Sequence, residues 1–533
     1  MGNTSLNRDG TLAYKIRWRR QKDKLWLPIL WYSYFIVALP YITWRFTIIN
    51  WDSWTGLVMY LAELYGVFTT GLFLFVSKKV FIPLKNPVLR KTSVDVLIPT
   101  YTESLDILEP VVIGAKKIWG VRKVLVLDDG NRTEVKEMAK RLGVEYHARK
   151  DNSHAKAGNM NNGLKYSDAE FFITLDADHI PLPFFIKETL GFFEDPNVAF
   201  VQSPQTFYND QAFLFCKKAK KVVWSEQMMF YNCLQPAKNN WNSAFFVGTS
   251  AILRHTAIDE VGGFATGTAT EDIHTSLKLH SKGWQSVFIP TPLAYGLEAE
   301  NFKEYYKQRR RWAAGSLGLL FRSSDSPLRA KGLTPPQRLN YVSACLAHLQ
   351  GVQKICFLIV PIISIFTNTS PVRTSLALFA AIFCFYITVA LSATWAYSRG
   401  TYHLIFTEMF AISSILAHLG GLKGIIKVQK KFAVSTKSSL RRDGKLLIIG
   451  MWGLGLLTLG AILRGGITFL FYHKEAALVL TCTIFISVNG LLLVSFLLKL
   501  RRYENDKTTA EYESMNPYAR YRYVVFTNTN LIG

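Results

Sequence analysis

Two apolar runs open the chain, residues 26–44 and 55–76. Each is close to the roughly 20 residues that a helix needs to cross a bilayer. After a long interruption come further runs at 346–366, 375–397, 446–463 and 476–498, so about six spanning helices are predicted. Residues 401–419 make one more apolar stretch, but it carries His403, Glu408 and His418. The charges that follow it decide its status. Lys423, Lys427, Lys430, Lys431, Lys437, Arg441, Arg442 and Lys445 come next, and the N-terminus and residues 77–91 and 499–502 are also basic. Cytosolic flanks carry the Lys/Arg excess, so six spans place all of these clusters on the cytosolic face, whereas seven would put two of them outside. Residues 401–419 are therefore predicted to be an interfacial amphipathic helix.

The interruption, residues 78–334, follows a different pattern. Branched residues dominate 94–98, 121–127 and 171–175, and a helical pattern at 134–142 precedes a short run at 144–146. Strand and helix in alternation predict a parallel sheet covered on both faces. Ligands of such sheets sit beyond the carboxyl ends of the strands. The predicted division is a basic N-terminus (1–25), two spans (26–77), a cytosolic α/β domain (78–334), an interfacial helix with two spans (335–400), an interfacial helix with a basic loop (401–445), two spans (446–499) and a cytosolic tail (500–533).

Composition agrees. The chain is 49% hydrophobic and only 19% charged, which excludes disorder, and its +24 charge largely follows from membrane topology. No zinc finger or aromatic-basic motif points to nucleic acid. The six cysteines lack metal or disulfide spacing. The first apolar run lacks a cleavage pattern and is read as a retained anchor.

Asp128-Asp129-Gly130 follows the second predicted strand, and Asp176-Ala177-Asp178 follows the third. Carboxylates at neighbouring strand ends converge on one crevice and suit Mg²⁺ or Mn²⁺ with a phosphate-bearing substrate. Thr270-Glu271-Asp272 supplies a candidate general base. Gln308-Arg309-Arg310-Arg311-Trp312 supplies cations for a diphosphate and a flat ring on which a sugar could stack.

In this order and between spans, these motifs resemble the family 2 membrane glycosyltransferases, in particular the bacterial cellulose synthase type. Ile98-Pro-Thr-Tyr-Thr-Glu103, His154-Ala-Lys-Ala-Gly-Asn159, Val201-Gln-Ser-Pro204 and Phe245-Phe-Val-Gly248 extend the likeness over residues 92–320. The resemblance implies a GT-A-type α/β domain inserted in a helical transmembrane bundle, at the cell membrane. It implies that Thr100, Tyr101, Glu103 and Asp128 hold the uridine of a UDP-sugar and that Lys156 approaches the diphosphate. Asp178 would ligate the metal and Asp176 contact the donor. Asp272, next to Glu271, would act as base toward a growing polysaccharide, Gln308 and Arg311 would face the diphosphate, and Trp312 would stack under the acceptor. Phe432, Val434, Ser435 and Lys437 are similar to the family's FxVTxK gating loop, with serine replacing threonine.

The expected activity is processive, inverting polymerisation of glucose from UDP-glucose into a secreted β-glucan, with membrane lipid and a possible accessory secretion subunit as partners. Hyaluronan- or chitin-type synthesis and single-sugar transfer to a lipid are the enzymatic alternatives. A transporter with a regulatory cytosolic domain is the non-enzymatic one, though no inverted repeat is evident. Two departures stand out. About 35 residues follow the last apolar run, too few for a PilZ domain, and Val247 stands where cellulose synthases commonly have cysteine. Glu63 should face a polar path or another helix. Gln350, Gln353 and Lys354 either line a channel entrance or mark an interfacial turn into a short span.

Overall fold

The computed structural model describes residues 4–6, 12–86, 88, 92–210, 212–218, 221–427, 445–472, 476–505 and 514–529. Two apolar helices come first, α1 (Leu27–Thr47) and α2 (Trp54–Val76). Proline in the first turn of α1 and the Ser53 hydroxyl capping α2 set their starts. The α/β domain follows. Its seven-stranded sheet is built from β1 (Val94–Thr100), β2 (Lys123–Asp128), β3 (Glu145–Ala148), β4 (Phe171–Thr174), β5 (Val198–Gln202), β6 (Ala251–Arg254) and β7 (Gln285–Phe288), in the spatial order β7-β5-β6-β4-β1-β2-β3. Both faces are covered, so alternate residues of one strand enter different cores. Val96 and Ile98 pack with Leu108 and Val111 of α3 (Leu105–Lys116), while Leu97 packs with Ala157 and Met160 of α4 (Ala155–Gly163).

The expected parallel sheet needs one correction. β6 runs antiparallel to both β5 and β4, whereas the remaining pairs are parallel. Its residues are fully apolar or buried like those of the parallel strands, so residue pattern gave no sign of its direction. α5 (Glu271–Ser281) and α6 (Phe302–Phe321) complete the domain. Asn301 caps α6 by accepting from the Glu304 amide at 2.9 Å.

A capping box at Thr334 and Gln337 starts α7 (Pro335–Leu346), which leads into α8 (Gln350–Thr367). Next come α9 (Leu376–Tyr397), then α10 (Leu404–Ser413) and α11 (Ile415–Gly421), bent by 47° within the stretch Leu404–Ile426. The long helices α12 (Lys445–Tyr472) and α13 (Ala476–Asn505) pack together, and α14 (Pro517–Thr529) rests on α3. Among the described residues six helices are long and apolar enough to cross a membrane, or seven if the bent pair is counted. The chain is thus a polytopic membrane protein.

The bent pair packs on α6 of the α/β domain. A Cβ on Gly421 would stand 2.4 Å from Ala313 Cβ of α6, and one on Gly424 would stand 2.2 Å from the Ala314 carbonyl oxygen. Glycine therefore permits a backbone approach that no other residue would. Lys354 of α8 pairs with Glu408 of α10, tying the pair to the bundle. Inside the bundle, Arg45 donates to both oxygens of Glu63 at 2.8 and 2.9 Å, and the Tyr41 hydroxyl adds a third bond at 2.6 Å. Glu63 thus meets another helix, and it also lines a cavity.

Candidate active site

Strand ends deliver the first side chains. Thr100 closes β1 in register with Asp128 at the end of β2. The Thr100 hydroxyl and the Tyr101 amide both donate to Glu103, each at 2.8 Å. Arg132, from the turn after β2, donates to Thr100 at 2.7 Å and to Asp128 at 3.1 Å. Asp128 itself is fully buried and also accepts from the Gly130 and Arg132 amides and the Tyr146 hydroxyl. Its carboxylate braces the turn and is not part of the cavity wall. Asp129 does line it, held in a two-pronged ion pair with Arg149.

The His154–Asn159 segment begins α4 with two successive left-handed residues, His154 (φ 60°) and Ala155 (φ 46°). That sharp entry carries Lys156 to the end of β4, where its ammonium meets Asp176 and donates to the Gly248 carbonyl at 2.7 Å. Burial disfavours the ammonium, but Asp176, Glu271 and Asp272 outweigh it and hold its pKa above the ordinary lysine value. Gly248 (φ 90°) separates Lys156 from Asp272: a Cβ there would be 3.2 Å from Lys156 Nζ and 3.7 Å from Asp272 Oδ2. The Phe245–Gly248 loop is fixed from behind by Gln202, whose carbonyl accepts from the Val247 amide and whose amide donates to the Thr249 carbonyl. Gln202 thereby accounts for the Val201–Pro204 motif.

Asp272 sits in the first turn of α5 and accepts from the Ile273 amide at 2.8 Å. Burial, and then repulsion from Glu271, push its carboxyl up to about 7, although Arg311 and Lys156 pull the other way. α6 lies beside it because Gly315 has no side chain, so the Thr270 methyl and amide pack directly onto that position. From α6 come Gln308, Arg311 and Trp312, all lining the cavity. Arg311 donates to the Ala269 carbonyl at 3.2 Å.

Asp176, Asp178 and His179 present ligand atoms within 4.8 Å of one another. The two carboxylates suit Mg²⁺ or Mn²⁺, and the imidazole offers a further nitrogen donor. The His179 Nε2 atom is buried without a hydrogen-bond partner, while Nδ1 contacts Asp178 at 2.7 Å. Burial holds its imidazolium pKa down at about 4, leaving the ring neutral and able to ligate.

Thr100, Tyr101, Glu103, Lys156, Asp176, Asp178, Glu271, Asp272, Gln308, Arg311 and Trp312 all line one cavity of about 2210 Å³. It continues past Gln350, Gln353 and Lys354 into the helical bundle and reaches residues 368–374 on the far side. Phe432, Val434, Ser435 and Lys437 lie outside the described residues.

Several contributors escaped the sequence reading. Arg132, Arg149 and Glu226 carry no local signal, because their partners are remote or lie across a turn. Arg309, read as one of the diphosphate cations of its motif, instead stands three residues before Trp312, hence on the same helix face. Its guanidinium lies 4.2 Å from the Trp312 ring centroid, is buried, and pairs with Glu226. His179 adjoins the Asp176–Asp178 motif but was passed over.

A profile described as "Glycosyl transferase family group 2" matches residues 171–413. The cellulose synthase 1 catalytic subunit (UDP-forming) of Komagataeibacter xylinus is 34% identical over 475 residues, covering 84% of this chain and 63% of its own length. The cellulose synthase catalytic subunit of Pseudomonas fluorescens is 36% identical over 343 residues, covering 61% of this chain and 46% of its own. The chain therefore spans less than two thirds of either relative. A Pyrobaculum calidifontis mannosyltransferase solved with GDP-Man and Mn²⁺ overlays with a TM-score of 0.46 at 16% identity, over 75% of this chain and 99% of its own.

Proposed function

The chain belongs to glycosyltransferase family group 2, and from that premise we propose that it is a processive, inverting synthase. It polymerises glucose from UDP-glucose into a β-glucan and passes the product through its own bundle. One observation carries the reading. Asp176, Asp178, Asp272 and Trp312 line the same cavity as side chains of the membrane helices, which supports a route for the product into the bundle. Hydroxyl-rich sugar cannot cross hydrocarbon unaided, since each unpaired polar group costs kilocalories. The cavity offers it Tyr41, Glu63, Gln353 and Lys354 instead.

The Asp272 carboxylate takes the proton from the acceptor's terminal hydroxyl as that oxygen attacks the anomeric carbon. Trp312, stiffened by Arg309, supports the acceptor sugar. Lys156, Gln308 and Arg311 receive the diphosphate as it departs, and Thr100, Tyr101 and Glu103 hold the nucleoside end. The family's divalent ion would be held by Asp178 with Asp176 and His179, and would neutralise charge on the diphosphate. With one base and no second carboxylate acting as nucleophile, the transfer inverts the anomeric centre. Positioning and charge neutralisation are the main barriers to such a transfer.

The test uses inverted membrane vesicles supplied with Mg²⁺ or Mn²⁺ and one radiolabelled UDP-sugar at a time. Label from UDP-glucose is expected in an insoluble product that a linkage-specific glucanase digests. Polymer formed only from UDP-N-acetylglucosamine, alone or with UDP-glucuronate, would overturn the assigned sugar. No polymer from any donor would overturn processive synthesis.

A further inference from the structure

Two antiparallel strands, Phe215–Lys218 and Lys221–Ser225, form a hairpin beside the bundle. Its base is anchored twice. Trp224 is buried against α10, with ring centroids 5.3 Å from Phe410 and 5.9 Å from Phe406. The Phe215 carbonyl accepts from Lys499 Nζ at 2.7 Å, at the end of α13. Lys499 follows directly on the last apolar run, so this anchor marks where that helix leaves the bilayer.

The outer part of the hairpin has a different character. Lys217, Lys218 and Lys221 are exposed, as are Val222 (41%) and Val223 (45%). Arg501 and Arg502, just past the Lys499 anchor, are exposed as well. Asp210 pairs with Lys217, and Glu226 is already engaged by Arg309. Three lysines and two exposed branched apolar side chains thus sit on strands tied to the end of α13, the helix that also carries Arg501 and Arg502, and the adjoining acids Asp210 and Glu226 are both engaged. Lysines with apolar stems beside small apolar groups suit the headgroup layer, where the charge reaches phosphate and the stem stays in the boundary. An RNA-binding surface would have no need of exposed valines next to a membrane exit.

We propose that this hairpin, together with Arg501 and Arg502, is a contact surface for anionic phospholipid headgroups of the leaflet facing the α/β domain. Glu226 follows the hairpin directly and holds Arg309 against Trp312. Lipid contact therefore steadies the ring that supports the acceptor in the proposed function. The headgroup contact itself rests only on the membrane placement, and its test does not require catalysis.

The full chain carrying Cys384→Ser and Val223→Cys is labelled with an environment-sensitive fluorophore, and the Cys384→Ser protein without Val223→Cys serves as the background. It is placed in nanodiscs of phosphatidylcholine with increasing phosphatidylglycerol. Emission is expected to rise and shift to the blue with phosphatidylglycerol and to fall back in high salt. Each of Lys217→Gln, Lys218→Gln and Lys221→Gln is expected to weaken the apparent headgroup affinity about fivefold. An emission that ignores phosphatidylglycerol, or that the triple lysine variant leaves unchanged at an unaltered Tm, would overturn the proposal. So would a shift in pure phosphatidylcholine discs that needs added RNA.

Discussion

Asp272 and Lys238 show how burial, before any other cause, sets the chemistry of a charged group. With its carboxyl pushed up to about 7, Asp272 is largely protonated in mildly acidic solution and becomes a competent base only as pH rises. The kcat/KM profile is therefore expected to climb to a plateau across an apparent pKa near 7, and Asp272→Asn to lose about 10²- to 10⁴-fold in kcat with little change in donor KM. A pH series on vesicle-borne protein, with initial rates of label incorporation, checks both. Lys238 is buried with its ammonium on the Asn340 carbonyl and side chain, and burial lowers its pKa to about 7. That value lies below the lysine value in the unfolded chain. Between about pH 7 and that higher value the unfolded chain binds more protons, so this residue makes stability rise with pH there and has no further effect below it. Lys238→Met is expected to stabilise the fold by about 1–3 kcal/mol, seen as a higher Tm at pH 6 than the parent. Neither effect is legible in sequence. Thr270-Glu271-Asp272 identifies a carboxylate, but its desolvation depends on α6 closing over it.

At the scale of elements, α6 joins the two halves of the protein. Its N-terminal part carries Gln308 to Trp312, and its small residues Ala313 and Ala314 face Gly421 and Gly424. A side chain at Gly424 would run into the backbone of α6, which has no flexible end to swing away. Gly424→Ala is expected to cost about 1–3 kcal/mol, lowering Tm, and to reduce polymer yield more than Gly466→Ala on α12, where a Cβ meets nothing. Thermal unfolding of the three proteins in the same detergent decides it. The apolar pattern of 401–419 foretold helix, and helix is found at Leu404–Ser413 and Ile415–Gly421. It did not foretell the 47° bend, nor that the second half would dock on the helix of the Gln308–Trp312 motif. Such docking depends on two surfaces more than 100 residues apart in sequence, each unremarkable by itself.

For the whole molecule, the central issue is how charged side chains are kept inside a bundle of apolar helices. Arg45 is fully buried and bonds Glu63 with both prongs of its guanidinium, and Tyr41 stacks on Tyr386 of α9 at 4.1 Å while donating to the same carboxylate. This cluster joins α1, α2 and α9 at the cavity wall. Removing one partner alone, as in Glu63→Leu, is expected to cost about 3–5 kcal/mol, because it leaves a buried charge unpaired. The double change Arg45→Met with Glu63→Leu should recover most of that loss. Tm values of the single and double variants in nanodiscs test the pair, and a double variant as unstable as the single one would refute it.

Sequence by itself determined the apolar runs that become spans, the direction in which basic flanks orient them, the strands that lead to Asp128 and Asp176, and the order of motifs that identifies the family. These features are local: each depends on the length, period or spacing of neighbouring residues. Tertiary structure alone decided that β6 runs antiparallel, that Asp128 braces a turn while Asp129 lines the cavity, and that Arg309 backs Trp312. It also decided that Glu63 finds Arg45 and that the strand-end crevice opens into the bundle. Each of these depends on contacts between distant segments, where burial, ion pairing and the space left by glycine are settled only when the chain has closed upon itself.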